Sequence, residues 1–160
     1  QLGNREPGLV GATLDDAGVS AGLIADGIHV APESMRAALA AKRGTDSVFL
    51  VTDAMAPAGT DITEFTLNGR RILRRDGRLT LENGTLAGAD VDFPGVIRVM
   101  VRDVGLTLPE ALRMATYAPA AALRATDRMG RLAPGLAADL VHLDADLALG
   151  GVWRGGAPLD

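Results

Sequence analysis

Three features predict an α/β fold: an apolar run at 21–30 that ends in polar groups, a helix-compatible segment opened by Pro32 and Glu33, and a second apolar run at 47–52. A strand, a helix and a strand within about 30 residues make a βαβ unit, which places parallel strands inside and helices outside. Ala21 to Val30 reads as the first strand and carries Asp26 and His29 at its end. In the helix that follows, Met35, Ala38 and Leu39 share one face, Lys42 and Arg43 fall in the last turn, where cations suit the dipole, and Gly44 ends it. Ser47 to Thr52 shows no polar alternation, as expected of a strand buried on both faces of a parallel sheet, and it ends on Asp53.

Between Ile62 and Leu86 the pattern changes. Asn68-Gly69, Asp76-Gly77 and Asn83-Gly84 are dipeptides suited to two-residue hairpin turns, so the strands Glu64 to Leu67, Arg70 to Arg75 and Arg78 to Leu81 form an antiparallel meander with one face in water. Helical spacing returns at Pro94 to Val104, before Gly105, and again after Thr107, where Thr107 and Glu110 have capping-box spacing. Pro119 to Leu123 makes a further short helix, and the Gly-rich tail holds one apolar strand, Leu140 to Leu143.

Composition removes several function classes. With 160 residues, 48% of them hydrophobic, the chain can build a core. Its net charge of −4, with 16 basic residues scattered along it, offers no footprint for nucleic acid or an anionic membrane. No cysteine is present, so disulfide and thiolate chemistry are absent, and no apolar run approaches a membrane span. The opening residues carry neither an initiator Met nor a signal peptide, and the expectation is a cytoplasmic protein whose given sequence begins mid-protein.

Chemistry in parallel α/β proteins sits at the C-terminal ends of strands, where His29 and Asp53 fall. A carboxylate after an apolar run is costly to bury unless paired, protonated or bound to a cation. Asp53 can therefore be a reactive group or a turn cap, and His29 a site residue or a satisfied strand-edge histidine. His142, the other histidine, lies within an apolar strand and reads as structural. Arg5, beside a Glu-Pro turn, is either a solvated surface group or an anion contact. A hydrolytic metal site needs about three protein ligands, which these residues do not supply.

Several segments resemble the successive motifs of N-acetylglucosamine-6-phosphate deacetylases of the amidohydrolase superfamily: Arg5-Glu-Pro-Gly-Leu-Val-Gly11, Gly22-Leu-Ile-Ala-Asp-Gly-Ile-His29-Val30, Leu50-Val-Thr-Asp53-Ala-Met-Ala-Pro-Ala-Gly59 and Gly84-Thr-Leu-Ala-Gly88. Leu112 to Ala121 and Gly130 to Leu140 resemble segments of the wider superfamily. The resemblance implies the C-terminal part of a (β/α)8 metal-dependent hydrolase barrel with strands of a small β-sandwich. A whole barrel takes about 250 residues, so part of it would lie upstream. On this reading residues 1–61 supply the last barrel strands and helices, 62–90 a hairpin insert by the active site, 91–128 the closing helices and 129–160 the return strands of the sandwich.

By the same resemblance Asp53 is the catalytic aspartate and a contact of the metal through bound water. His29 meets the substrate, Arg5 meets the sugar phosphate from the neighbouring subunit of a homodimer, and Leu86, Ala87 and Gly88 line the sugar pocket. The implied cofactor is a divalent metal, zinc or iron, held mainly by a glutamate and two histidines upstream. The implied substrate is a small amino-sugar phosphate, N-acetyl-D-glucosamine 6-phosphate, cleaved to glucosamine 6-phosphate and acetate. After Gly88 the chain departs from the family pattern: Ala89-Asp90-Val91-Asp92-Phe93-Pro94 brings two carboxylates toward the pocket, where like charge would weaken phosphate binding. A non-phosphorylated N-acetyl sugar, a cyclic amide on the same scaffold and an inactive truncated module are the alternatives. Strands without barrel neighbours would leave apolar edges exposed in the isolated chain.

Overall fold

A computed structural model describes residues 2–159. Its first element, helix α1 (Gly8–Asp15), was not expected from apolar spacing. Leu9 and Val10 are exposed, and only Gly11 is buried, where a Cβ would lie 2.2 Å from Pro7 Cβ.

The βαβ unit is present and shorter than expected at its first strand. β1 (Ala21–Ile24), α2 (Pro32–Ala41) and β2 (Val48–Val51) follow in order, and the strands pair in parallel from Ala21↔Val48 to Ile24↔Val51. The strand reading to Val30 is corrected because the chain turns after Ala25. One carboxylate oxygen of Asp26 accepts the backbone N–H groups of Ile28 at 2.9 Å and His29 at 2.8 Å, and Gly27 takes φ +73°. α2 stops at Ala41, so Lys42 and Arg43 lie beyond its last turn rather than within it. Lys42 Nζ donates to the carbonyls of Asp16 and Arg43, both at 2.7 Å. Gly44, at φ +90°, leaves no room for a Cβ, which would stand 2.6 Å from the Ala17 carbonyl.

The meander has four strands, one more than expected: β3 (Glu64–Leu67), β4 (Arg70–Arg75), β5 (Arg78–Leu81) and β6 (Leu86–Ala89), antiparallel in that order. Asn68-Gly69 and Asp76-Gly77 have positive φ at both residues, the geometry of type I′ hairpins. The third connection runs over four residues, 82–85, rather than the two-residue Asn83-Gly84 turn expected. One face carries Phe65, Ile72, Leu79 and Leu81, buried or half-buried; the other exposes Arg71, Arg75 and Arg78, with Leu73 and Ala89 buried on it.

α3 (Phe93–Val99) is capped by Asp92, whose side chain accepts the Gly95 N–H at 2.7 Å. It runs on as a π-helical stretch, Met100–Val104, closed by Gly105 at φ +88°. At the start of α4 (Leu108–Ala115) the Glu110 carboxylate accepts Thr107 N–H at 2.8 Å and Thr107 Oγ1 at 2.5 Å, as the capping-box spacing predicts. α5 (Tyr117–Ala122) starts two residues before Pro119. Of the last antiparallel sheet, β7 (Leu140–Leu143), β8 (Leu149–Arg154) and β9 (Ala157–Leu159), only β7 was expected. His142 lies in β7, exposed and paired with Gly151.

Met35, Leu50, Val96 and Met100 form the heart of the core, joined by Ala25, Ala111 and Leu147. Each large aliphatic side chain withdrawn in this way contributes about 1.5–3 kcal/mol. These contacts clamp α2 and the α3–π segment onto the parallel pair and hold the ends of β1 and β2 side by side. Each of those two strands keeps one edge without a strand partner among the described residues.

Candidate active site

The parallel register brings Ile24 and Val51 level, so the chain leaves both strands at the same end of the sheet. From there His29 and Asp53 converge, with His29 Nε2 4.0 Å from Asp53 Oδ2. Asp53 sits two residues past β2 at φ +55°, a left-handed angle that aspartate tolerates better than most residues. Its carbonyl accepts the Ala89 N–H at 3.0 Å, and Ala54 and Ala89 form a parallel bridge, so β6 grips the backbone of Asp53 from the side. The Asp53 side chain is 49% exposed, and it receives no hydrogen bond among the described residues beyond the long approach of His29.

His29 is held from behind. Its Nδ1 lies 2.7 Å from Asp26 Oδ2, and the Asp26 side chain is 3% exposed against 18% for His29. Burial pushes the Asp26 carboxyl pKa up. The hydrogen bond with the imidazole, the two backbone N–H groups and the imidazole charge outweigh it and hold the pKa below the ordinary carboxylate value. Asp26 therefore stays ionised and takes a proton-bearing Nδ1, which leaves Nε2 facing Asp53.

Leu86, Ala87 and Gly88 belong to β6, and Gly88 fits only without a side chain: a Cβ there would stand 2.5 Å from Met55 Sδ and 3.2 Å from the Asp53 carbonyl. The chain thus joins β6 to Asp53. Arg5 is exposed ahead of α1 and makes no hydrogen bond with His29 or Asp53 among the described residues. Sequence reasoning assigned no role to Asp26, Met55 or Ala89. Only the Asp26-Gly27-Ile28-His29 spacing, an aspartate three residues before a histidine across a glycine, signalled any of them.

A cavity of about 490 Å³ lies beside the pair rather than on it and is lined by Thr60, Asp61, Arg74, Asp90, Asp92 and Arg98 among others. Both of its arginines are already engaged. Arg74 Nε meets Asp90 Oδ2 at 2.8 Å and Arg74 Nη1 the Thr60 carbonyl at 2.6 Å, while Arg98 Nη1 reaches the Leu147 carbonyl at 2.7 Å. Asp90 and Asp92 are therefore not the free carboxylates expected from sequence: one is neutralised by Arg74 and the other caps α3. We take the His29–Asp53 pair, not this cavity, as the candidate site, because there the Asp53 carboxylate and His29 Nε2 are unspent.

No three His, Cys, Asp or Glu side chains cluster to hold a metal among the described residues. The donor set nonetheless fits one flank of a metal site: a carboxylate free of strong hydrogen bonds beside an imidazole nitrogen whose ring is already anchored.

An acid and an imidazole meeting at the ends of adjacent parallel strands place the molecule among α/β proteins that carry their reactive groups on strand-end loops. The family model described as the amidohydrolase family matches residues 8–158, and the chain belongs to that family. It is 40% identical to an N-acetylgalactosamine-6-phosphate deacetylase of Shewanella sp. (strain ANA-3) over 155 residues, covering 97% of this chain and 39% of that protein. It is 38% identical to a putative N-acetylgalactosamine-6-phosphate deacetylase of Escherichia coli (strain K12) over 152 residues, covering 95% of this chain and 90% of that one. Its fold superposes on the crystal structure of N-acetylglucosamine-6-phosphate deacetylase from Pasteurella multocida with a TM-score of 0.92 and 34% identity, over 98% of this chain and 41% of that one. The chain thus spans about two-fifths of the Shewanella and Pasteurella proteins.

Proposed function

We propose that the protein carrying this chain hydrolyses the acetamide of an N-acetylhexosamine 6-phosphate, releasing acetate and the free amino-sugar phosphate. The observation that carries this reading is the unspent Asp53 carboxylate, held at positive φ by β6 and facing an anchored imidazole. The motif resemblance points to the N-acetyl-D-glucosamine epimer. The 40% identity to a galactosamine-named relative favours the galacto epimer as a second reading.

The two ends of the parallel pair act together on the amide. Asp53 takes a proton from the attacking water as the new C–O bond forms. It returns that proton to the nitrogen as the C–N bond breaks, so acetic acid and the amine leave, the acid passing its remaining proton to the amine to give acetate and the ammonium form, and the carboxylate is regenerated. His29 lies beside the carbonyl and steadies the developing oxyanion. Leu86, Ala87 and Gly88 line the sugar, and Arg5 meets its phosphate from the neighbouring subunit of a homodimer. A divalent metal, zinc or iron, flanked by Asp53 and held mainly by residues outside this chain, supplies Lewis-acid polarisation when bound. This chain would contribute the last strands of a (β/α)8 barrel (1–61), a hairpin insert (62–90), closing helices (91–128) and sandwich strands (129–160), in a cytoplasmic enzyme.

The test is acetate release by the complete polypeptide, with added zinc, from both phosphorylated epimers and from unphosphorylated N-acetylglucosamine. The expected outcome is metal-dependent release from a phosphorylated sugar, reduced about 10²–10⁴-fold in Asp53→Asn, the share that a general acid–base group supplies. Release that survives the substitution removes Asp53 from the role of base. Release from the unphosphorylated sugar alone removes the phosphate contact assigned to Arg5.

A further inference from the structure

We propose that Asp26 is a positioning residue: its carboxylate fixes both the turn that carries His29 and the proton-bearing nitrogen of the imidazole, so that Nε2 is the atom presented to the reaction. The kinetic part rests on the reading given under Proposed function; the geometry does not.

The two oxygens of Asp26 divide the work. Oδ1 receives the N–H groups of Ile28 and His29 at 2.9 and 2.8 Å, which closes the backbone turn, while Oδ2 lies 2.7 Å from His29 Nδ1. Gly27 takes φ +73° between them, and Ala25, fully buried, anchors the turn to the core. With its side chain 3% exposed, Asp26 has almost no solvent to exchange for these bonds, so the imidazole is clamped rather than loosely paired. An ionised carboxylate only accepts, so Nδ1 carries the hydrogen and Nε2 is aimed toward Asp53, 4.0 Å away. A histidine fixed in this way is ready at the strand end before substrate arrives: Nε2 takes up a proton and donates it as a hydrogen bond to the oxyanion, and the carboxylate behind the ring supports the positive charge this brings, which the neutral amide of Asp26→Asn would not.

Asp26→Asn separates the two tasks. The amide oxygen still accepts the two backbone N–H groups and keeps the turn. The amide nitrogen is a donor, so the ring must put its hydrogen on Nε2 instead. In the complete polypeptide labelled with ¹⁵N-histidine, the His29 signal, identified by its loss in His29→Ala, should report the Nδ1–H form in the parent and the Nε2–H form in Asp26→Asn. The same substitution should lower kcat about ten- to a hundredfold with KM little changed, the usual cost of losing a group that orients another. In a His29→Ala background it should cost nothing further.

An unchanged His29 tautomer in Asp26→Asn overturns the proposal. So does an unchanged kcat, or an equal loss in the His29→Ala background, which would make Asp26 a support of the backbone alone. If the parent releases no acetate, the proposed function fails, while the tautomer signal still decides whether Asp26 orients the ring.

Discussion

In the meander β3–β6, Asn68 (φ +50°) and Asp76 (φ +51°) bend into two-residue turns with open space around Gly69 and Gly77, whereas at the end of β2 Asp53 takes φ +55° with no hairpin to require it. The first two angles follow from local chemistry, because a type I′ turn needs left-handed residues and Asn-Gly and Asp-Gly supply them at little cost. The third is imposed by tertiary contact: the Ala89 N–H holds the Asp53 carbonyl, and Gly88 closes against Met55. The same backbone angle is a folding device in one region and, in the other, the support of the carboxylate proposed to act as base. The meander serves both ends, because its fourth strand is the clamp.

After the Asp53 substitution itself, the largest effect that would test this difference is at Gly88. A Cβ in Gly88→Ala would stand 2.5 Å from Met55 Sδ and 3.2 Å from the Asp53 carbonyl, so the Met55 side chain must be displaced and the backbone of β6 or the strand end must give by a few tenths of an ångström. Overpacking of this kind costs about 1–3 kcal/mol, read as a lower urea midpoint, and acetate release should fall because Asp53 moves. Adding Met55→Ala should restore much of the stability and little of the activity, since the backbone contact remains. Parental stability and activity in Gly88→Ala would break the clamp.

A smaller and purely structural effect is expected at the hairpin tip. Gly77→Ala places a side chain at φ +69° with nothing nearby to clash, so only the left-handed penalty applies, about 1–2 kcal/mol. Acetate release at a temperature where the variant is folded should match the parent. Activity falling in step with stability would show that the tip and the strand end are not separable.

What the sequence conveyed followed the same division between local and long-range causes. The turns at Asn68-Gly69 and Asp76-Gly77, the capping box of Thr107 and Glu110 and the apolar strand leading to Asp53 have signals within a few residues, and the structure contains them, although in that strand, expected to be buried on both faces, only Leu50 is fully buried and its neighbours are half-buried at the edge of a two-stranded sheet. The end of β1 at Ile24 was missed because it depends on which backbone N–H groups a single carboxylate accepts. The grip of Ala89 on Asp53 joins residues far apart in the chain and has no local periodicity to announce it. β8 is masked by Gly150 and Gly151, residues that normally weaken a strand, with a Cβ on Gly151 meeting the Trp153 ring at 2.7 Å, and β9 is a three-residue strand with Pro158 at its centre. α1 carries no apolar stripe, since its side chains face mostly outward among the described residues.

Asp90 is where local reading and tertiary context disagree most, and the smallest effect is expected there. Read alone, a carboxylate two residues past Gly88 should repel a sugar phosphate. In place, its side chain is 13% exposed and lies 2.8 Å from Arg74 Nε, so beyond a few ångströms the pair presents little net charge. Asp90→Ala removes the carboxylate and leaves Arg74 held by the Thr60 carbonyl at 2.6 Å, beside a cavity distinct from the His29–Asp53 pair. KM for the phosphorylated sugar should then change by less than about fivefold, the most a screened pair of this kind contributes, and the melting temperature should drop slightly. A larger fall in KM would mean that Asp90 faces the phosphate despite its partner, and that this loop, rather than Arg5 alone, sets the charge preference of the site.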